Sequence, residues 1–294
     1  MIREIHNRSF RMIFLRFPGG RAKALTFSYD DGVQQDKQLM AIFNKYGLKG
    51  TFNLNSINLL DEERTYPDGA IHRPMARREA VEAYNGELGK NHEIAIHCFS
   101  HPFLDKLPKS LATYEVVKDR ELLEGYFGRI IRGCAYPMGT SNEMTSEVLE
   151  NAGIAYARTI ESTGDFVVHS DKWLRMPATC HHNDPNLFVY LDKFLSPGVD
   201  FWNKTYLFYV WGHAYEFEND NNWDRIEEFC KRASGHDEVW YATNIEIYDY
   251  VEAYNSLQFS MNGNMVKNPS CQTLWFDSDG ILVKVEPGET VKYK

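Results

Sequence analysis

Two aspartates that follow an apolar run are the first residues whose types could do chemistry. The run covers residues 24–29 and ends at Asp30, Asp31 and Gly32. An apolar run of this length that stops at a glycine is typical of a short buried strand. The two carboxylates would then share one edge of a sheet, where like charges disfavour each other. A bound cation, or different roles for the two side chains, would relieve that repulsion.

Two histidines behind a second apolar run supply further candidate ligands. His97 and His101 follow residues 94–96 and are four positions apart. Within one helical turn, this spacing brings two side chains to the same face. Two imidazoles and one carboxylate form a three-ligand set that leaves positions on a catalytic metal ion open for water and substrate. We therefore expect one divalent ion, zinc first, although cobalt and nickel accept the same ligands.

These two segments resemble the first two motifs of the NodB-type polysaccharide deacetylases, which form carbohydrate esterase family 4. In that family the first aspartate is the general base, and the second aspartate and the two histidines hold the metal. The resemblance therefore implies that Asp30 is the base and that Asp31, His97 and His101 are the ligands.

Two later segments extend the resemblance. Residues 134–139, CAYPMG, are similar to the family's substrate-groove motif, and residues 209–216, YVWGHAYE, are similar to its last motif, a buried strand that ends in the catalytic histidine. The resemblance implies that His213 is the general acid, and Glu216 is a candidate to orient its imidazole. The backbone N–H of Tyr136 is a candidate donor to the oxyanion. The expected substrate contacts are Tyr136, Pro137, Met138 and Trp211.

The chain departs from the family pattern at two positions. Cys98 follows the first histidine, where the family usually has serine or threonine, and we expect its thiol to be buried packing. Ala135 stands two residues before the proline of the groove motif, where the family often has an arginine that steadies the base. Arg158 and Arg175 are the candidates to replace that arginine.

Composition and charge limit the classes of function. The 294 residues are 43% hydrophobic and 25% charged, which suits a globular protein with one large domain. The net charge of -9 argues against nucleic acid or an anionic membrane surface as the main partner. Five widely spaced cysteines without a C-x-x-C pair do not indicate a disulfide framework. Without an apolar signal segment near Met1 or a membrane-length run, the expected location is the cytoplasm.

Hydrophobic periodicity predicts the elements that must position these residues. Helices are predicted over 35–46, 77–84, 110–126 with Ser110 as N-cap, 142–152, 185–195, 223–233 and 244–257, and strands over 25–29, 51–54, 94–99, 155–159, 206–211 and 239–243. Repeated strand–helix units favour parallel strands with helices outside them. The candidate residues follow the carboxyl ends of strands, where barrel folds place their sites. We therefore predict a (β/α) barrel of the α/β class, and the resemblance implies the family's distorted, incomplete seven-stranded form.

The end of the chain has a different pattern. Residues 258–294 alternate in polarity and are rich in turns, with strands predicted over 274–276 and 281–285. We predict a barrel domain over 1–257 and a small β appendage over 258–294 that covers a barrel edge, mediates oligomers or contacts substrate. The polar segment 58–76 is predicted to be an inserted loop near the strand ends.

Ordinary structural roles compete with each functional assignment. Asp30 and Asp31 could form a turn that caps a helix, and each histidine could simply pack in the core or on the surface. The adjacent His181 and His182 would point in opposite directions in an extended chain, so we do not expect them to share a metal ion. They would line a groove or lie in a loop. The remaining histidines are assigned structural roles: His6, His72, His92, His169 and His236.

The expected reaction is removal of an N-acetyl group from an amino sugar, with Asp30 taking a proton from water and His213 protonating the leaving amine. A soluble glycan precursor suits a cytoplasmic enzyme better than a cell-wall polymer. Two alternatives remain: a metal-dependent amidohydrolase that acts on a small amide without a sugar, and a non-catalytic glycan-binding protein. The absence of the groove arginine favours the second alternative.

Overall fold

Parallel strands that carry the apolar runs form the centre of the structure, a computed structural model that describes residues 12–62, 64–67, 69–196 and 205–293. Segment 1–11, which the sequence division assigns to the barrel, and His6 within it lie outside these residues. The strands are β1 (Ile13–Arg16), β2 (Lys23–Asp30), β3 (Thr51–Leu54), β4 (Glu93–Ile96), β5 (Gly133–Ala135), β6 (Tyr156–Ser162), β7 (Met176–Ala178), β8 (Cys180–His181), β9 (Tyr206–His213), β10 (Val239–Tyr241), β11 (Gln258–Phe259), β12 (Met265–Lys267), β13 (Leu274–Ser278), β14 (Ile281–Val285) and β15 (Thr290–Lys292).

Helices connect these strands on the outside of the sheet. They are α1 (Asp36–Lys45), α2 (Arg77–Asn85), α3 (Lys109–Phe127), α4 (Glu143–Asn151), α5 (Leu187–Leu195), α6 (Ala214–Asn219), α7 (Trp223–Ala233) and α8 (Asn244–Asn255). Helix α3 begins one residue before Ser110 and its N-cap is Pro108, so the prediction of Ser110 as N-cap was wrong. Among the described helices, none is both long enough and apolar enough to cross a membrane.

The parallel sheet curls into a nearly closed barrel. Its strands follow the order β7-β6-β5-β4-β3-β2-β9-β8, and β10 pairs with the first half of β2. Only Thr179 separates β7, which pairs with β6, from β8, which pairs with β9. This bent segment therefore links the two edges of the sheet. The predicted distorted (β/α) barrel is confirmed.

The side chains of strand β2 alternate between the outside and the interior of the barrel. Its residues from Ala24 to Asp30 are buried, as expected for a parallel strand covered on both faces. Phe27 packs outward, and its ring centroid lies 4.5 Å from that of Phe43 in α1. Thr26 lies on the alternate face and donates to Asn244 Oδ1 over 2.7 Å, which places a polar bond in the interior of the barrel. Asp30 shares that inner face at the carboxyl end of the strand.

The C-terminal strands build two small antiparallel sheets, β1-β13-β14 and β11-β12-β15. The predicted strands at 274–276 and 281–285 are present as β13 and β14. Strand β1 precedes the barrel in the chain but pairs with β13, a contact that local periodicity does not indicate. A second apolar cluster, which includes Phe17, Tyr250 and Phe276, packs α8 and this sheet against the barrel. The division at residue 258 stays a prediction.

Candidate functional site

The barrel mouth at the carboxyl ends of the strands gathers most of the candidate residues. Asp30 ends β2 and lies opposite His213, the last residue of β9, in the parallel register. His97 follows β4 directly, and its backbone N–H donates to the carbonyl of Leu54 at the end of β3 over 2.9 Å. Strand pairing therefore brings residues that are up to about 180 positions apart to one rim.

Asp31, His97 and His101 form a set that fits one divalent cation. Asp31 Oδ1 lies 3.7 Å from Nε2 of His97 and 3.7 Å from Nε2 of His101. These distances exceed a hydrogen bond and approach the separation of about 3.4 Å between ligand atoms that share a tetrahedral zinc ion. His97 Nδ1 lies 2.8 Å from the carbonyl oxygen of Ala135, which can only accept. Nδ1 therefore carries the proton and Nε2 presents its lone pair to the shared position.

A tight loop, not a helical turn, brings the two imidazoles together, so the helical explanation of their spacing was wrong. Residues 97 and 98 have no regular structure, and Cys98 and His101 adopt left-handed φ values of 59° and 57°. Asn55 Nδ2 donates to the carbonyl of Cys98 over 2.7 Å and supports this loop. Asp31 is also left-handed, with φ of 82°. Such conformations are uncommon outside glycine and concentrate at functional sites.

The buried carboxylate of Asp119, which the sequence interpretation missed, accepts a hydrogen bond from the backbone of the loop that carries His97. Asp119 of α3 accepts from the backbone N–H of His97 over 3.1 Å and from that of Ser56 over 2.7 Å. Burial raises the pKa of Asp119 to about 7. Its position offered a signal, because it falls on the apolar stripe of α3 with Ala112, Val116 and Leu123, where a charged residue needs a partner.

Arg158 holds Asp30 and takes the place of the missing groove arginine. Its Nη2 lies 2.6 Å from Oδ1 and 2.5 Å from Oδ2 of Asp30, and both side chains are buried. Burial alone would raise the pKa of Asp30, but the charges of Arg158, His97 and His213 together outweigh burial, and the pKa lies below its usual value. Ala135 pairs with Arg158 in the β5–β6 register. The guanidinium therefore comes from the neighbouring strand at the same level of the barrel.

Two neighbours fix the orientation of this ion pair. Trp211 packs against the guanidinium, with the Arg158 Cζ 4.6 Å from its ring centroid. Asn53 Nδ2 donates to Asp30 Oδ1 over 2.8 Å. Arg175, the other candidate, does not reach the site, because its Nε donates to Ser146 Oγ over 3.2 Å. The structure thus decides between the two arginines.

His213 lies between the base candidate and Glu216. Its Nε2 is 3.8 Å from Asp30 Oδ2, and its Nδ1 is 3.3 Å from Glu216 Oε1. Burial alone would lower the pKa of His213, but the nearby carboxylates of Glu216, Asp30 and Asp31 raise it above its usual value. The geometry therefore favours an imidazolium whose Nε2–H faces the mouth.

His181 and His182 both face the Glu216 carboxylate, although they are adjacent in the chain; the expectation that they do not share a metal ion stays a prediction. Nε2 of each lies 3.1 Å from Glu216 Oε2. They converge because β8 ends at His181, where the chain turns and Asp184 N–H donates to the His181 carbonyl over 3.0 Å. His181, His213 and Glu216 also place three ligand atoms within 4.8 Å. Since each imidazole already faces the carboxylate, we interpret this cluster as a network that holds Glu216.

The buried His182 ring explains a glycine of the last motif. The ring stacks on Phe217 with 4.1 Å between centroids and on Tyr29 with 5.6 Å. A Cβ at Gly212 would lie 2.0 Å from His182 Nδ1, so a larger residue there would displace the ring. Burial lowers the pKa of His182 to about 4, which keeps it neutral at ordinary pH.

Of the four residues predicted to contact substrate, three are buried and one is exposed to solvent. Tyr136 is buried, its hydroxyl donates to the Leu174 carbonyl over 2.8 Å, and its backbone N–H donates to the Arg158 carbonyl over 3.0 Å. Neither its ring nor its N–H is free for substrate, so both assignments to Tyr136 were wrong. Pro137 is also buried, and Trp211 is only 9% exposed beside Arg158. Met138, 45% exposed and left-handed, is the member of this group that faces solvent.

His72 belongs to the site, although the sequence interpretation gave it a structural role. Its Nε2 lies 3.3 Å from Asp31 Oδ2, and its ring packs edge-on against Tyr215 with centroids 5.0 Å apart. It comes from the predicted inserted loop, which does lie near the strand ends. No sequence pattern connects residue 72 with residue 31, because only the path of the loop places them together.

Residues 17–157 match the family model described as polysaccharide deacetylase. Over this segment the chain is similar to the polysaccharide deacetylase family. The matched segment contains Asp30, Asp31, His97 and His101, while Arg158 and His213 lie beyond its end. Among solved structures, a Mycobacterium smegmatis protein assigned to the polysaccharide deacetylases is 17% identical, and the match covers 82% of this chain and 94% of that chain with a TM-score of 0.57. This likeness supports the deacetylase barrel fold.

Two further solved structures are similar over smaller parts. A family 4 carbohydrate esterase from Streptomyces lividans, in complex with acetate, is 13% identical over 75% of this chain and 91% of that chain, with a TM-score of 0.47. The Streptococcus pyogenes deacetylase PplD, also in complex with acetate, is 19% identical over 51% of this chain, with a TM-score of 0.42. The match spans 61% of the length of PplD. No curated protein matches the sequence.

Proposed function

We propose that this protein is a polysaccharide deacetylase, a metal-dependent hydrolase that removes an N-acetyl group from an amino-sugar-containing glycan or glycan precursor. One observation carries the proposal: Asp31, His97 and His101 converge within 4.8 Å, while Asp30 and His213 face each other 3.8 Å apart at the same mouth. A divalent ion held by the first three residues, zinc in our proposal, would polarise the amide carbonyl and acidify water. The other two residues would move the protons.

Asp30 would accept the proton of the attacking water. Arg158 keeps Asp30 ionised and, with Asn53, fixes the direction of its carboxylate. A base with a low pKa can act here because the water that it deprotonates would be acidified by the ion. The imidazolium of His213 would then give its Nε2 proton to the departing amine. Glu216, held by His181 and His182, retains the Nδ1 proton on the ring.

The substrate that we propose is a soluble acetylated precursor of a glycan in the cytoplasm. The loop that carries His72 covers one side of the mouth, and the exposed Met138 lies in the connection that follows β5. A partly covered mouth suits a small ligand better than a long polymer. The same covering supports the second candidate function, hydrolysis of a small amide that contains no sugar. The case for a non-catalytic binder is weaker, since Arg158 supplies the arginine whose absence favoured it.

The functional test is acetate release from a substrate panel, measured with and without a chelator. The panel contains N-acetylglucosamine oligomers, nucleotide-linked N-acetyl sugars and small N-acetyl amides without a sugar. We expect release from the sugar substrates, loss with chelator, and recovery on addition of zinc, cobalt or nickel. Release from the sugar-free amides alone would select the second candidate, and no release from any substrate would contradict an enzymatic function.

Replacement of the base provides the matched mutational test. Asp30→Asn should abolish acetate release while zinc binding, measured by competition with a chromophoric chelator, is retained. Asp249→Asn is the control, because Asp249 pairs with Arg132 on the surface over 2.9 Å, away from the mouth. If Asp30→Asn retains turnover, Asp30 is not the base.

A further inference from the structure

The inserted loop is fastened to the segment that follows Asp31. Gln34 N–H donates to the Arg73 carbonyl over 2.7 Å, and Met75 N–H donates to the Gly32 carbonyl over 3.3 Å. An isolated antiparallel bridge joins Val33 and Pro74. These backbone contacts involve the three residues that directly follow His72. They fix the position of the loop relative to the carboxyl end of β2.

A side-chain network anchors the same loop to α6. Arg73 Nη1 donates to Glu218 Oε1 over 2.7 Å, and Gln35 Nε2 donates to Glu218 Oε2 over 2.6 Å. Tyr215, one turn earlier in α6, packs edge-on against the His72 ring. The imidazole is therefore restrained by its own backbone and by an aromatic neighbour, although its side chain is about half exposed. A restrained ring can direct a donor at a fixed point.

His72 contacts the oxygen of Asp31 that is not shared with the other two histidines. Oδ1 lies 3.7 Å from both His97 and His101, whereas Oδ2 lies 3.3 Å from His72 Nε2. A donor on Oδ2 restricts rotation of the carboxylate and leaves Oδ1 directed at the imidazole pair. Hydrogen bonds of this kind to a ligating carboxylate commonly set metal affinity, by about 10–100-fold when they are removed.

We propose that His72 is a positioning residue for the metal centre, which donates from Nε2–H to Asp31 Oδ2 and thereby holds Asp31 as a ligand through Oδ1. The inference rests on the proposed function, because it assigns His72 to the same ion. It also gives the inserted loop a defined role, since docking of the loop onto residues 32–35 completes the surroundings of the ligand set.

The experiment measures zinc affinity of the full chain directly, by competition with a chromophoric chelator, and the visible absorption of the cobalt-substituted protein. His72→Ala should weaken zinc binding by about tenfold or more and alter the cobalt spectrum, because Asp31 becomes free to rotate. His72→Gln should recover most of the affinity, since its side-chain amide N–H can also donate to Oδ2. His236→Ala is the matched control, because His236 is a partly exposed histidine that precedes β10 at the other end of the barrel and bonds to the Arg232 carbonyl.

A loop variant separates the imidazole from the docking of the loop. Arg73→Gln removes the ion pair with Glu218 but leaves His72 in place. We expect it to change zinc affinity less than His72→Ala. Equal losses in the two variants, or no recovery with His72→Gln, would overturn the proposal, because the loop rather than the imidazole would then be responsible. Unchanged affinity and an unchanged cobalt spectrum in His72→Ala would also overturn it.

The outcomes distinguish this inference from the function on which it rests. If the unaltered protein binds zinc and releases acetate while His72→Ala binds zinc equally well, only the role of His72 is refuted. If the unaltered protein binds none of zinc, cobalt and nickel, both the role of His72 and the metal-dependent function are refuted. Circular dichroism of each variant checks folding, and a change at a half-exposed loop residue is not expected to affect it.

Discussion

Replacing Arg158 by methionine removes the guanidinium that contacts Asp30 and leaves an unbranched, uncharged side chain. Both partners of the pair are almost completely buried, with side-chain exposures of 0% for Arg158 and 3% for Asp30. Removal of one partner from a buried ion pair leaves the other charge without compensation and typically costs about 3–5 kcal/mol. We expect Arg158→Met to lower the free energy of unfolding by about that amount, measured by denaturant titration with chelator present.

The cause of this loss can be separated from lost packing by a double-mutant cycle. Arg158 also packs on Trp211, so its removal affects contacts as well as charge. In the double variant Asp30→Asn with Arg158→Met, neither charge of the pair remains, and we expect most of the loss to be recovered. Arg175→Met is the matched control, because the Arg175 side chain donates to Ser146 away from the site and its loss should change stability by about 1 kcal/mol or less.

The same variant tests the role of Arg158 in the reaction. Without the guanidinium, Asp30 is no longer held ionised and in a fixed direction, so acetate release should fall by at least about tenfold. Arg158→Lys should recover only part of the rate, since an ammonium cannot reproduce the planar contact with Trp211. The reasoning is refuted if the double variant is as unstable as Arg158→Met, or if Arg158→Met retains full activity.

Two further predictions concern groups whose pKa values the fold displaces. Glu216→Gln removes a negative charge that raises the pKa of His213. The alkaline limb of the kcat/KM profile should therefore move to lower pH, and the rate should fall by about 10–100-fold. An alkaline limb at unchanged pH would exclude His213 as the acid. Glu93 accepts from Thr51, Tyr156 and Ile245 at the other end of β4, and burial raises its pKa to about 7 from 4.5. A carboxyl whose pKa is raised on folding stabilises the fold fully below its unfolded pKa and loses that contribution as pH rises through its folded pKa. The unfolding free energy should therefore fall between about pH 4.5 and 7, by at most about 3–4 kcal/mol. Glu93→Gln should remove that decline, and an identical slope in both proteins would contradict the assignment.

The convergence of the candidate ligands could be predicted because each part of the set is local in sequence. Asp30 and Asp31 end an apolar run, and His97 and His101 follow another. Parallel strands place their carboxyl ends at one rim, so residues at such ends meet whatever the exact strand order. The loop that joins His97 to His101 was not predictable in its geometry, because left-handed residues other than glycine leave no clear pattern in sequence.

The partners of these residues depended on long-range contacts. Arg158 reaches Asp30 because β5 and β6 pair in a register that sets Ala135 opposite Arg158. The sequence could not place either Arg158 or Arg175 relative to Asp30, since periodicity predicts a strand but not its register. The groove motif identified Tyr136 by its place in the sequence but did not indicate the direction of its side chain. In the barrel, its ring is buried and its backbone N–H pairs with β6.

By itself, the sequence determined the barrel class, the order of its main strands and helices, and the residues able to bind one cation. Those properties follow from side-chain periodicity and from residue types over short stretches. Only the tertiary structure decided which arginine holds Asp30, that His181 and His182 share Glu216, and that a loop imidazole reaches Asp31. These contacts join segments that are 34 to 128 positions apart. Register, barrel closure and loop path fix them, and no local pattern encodes those three quantities.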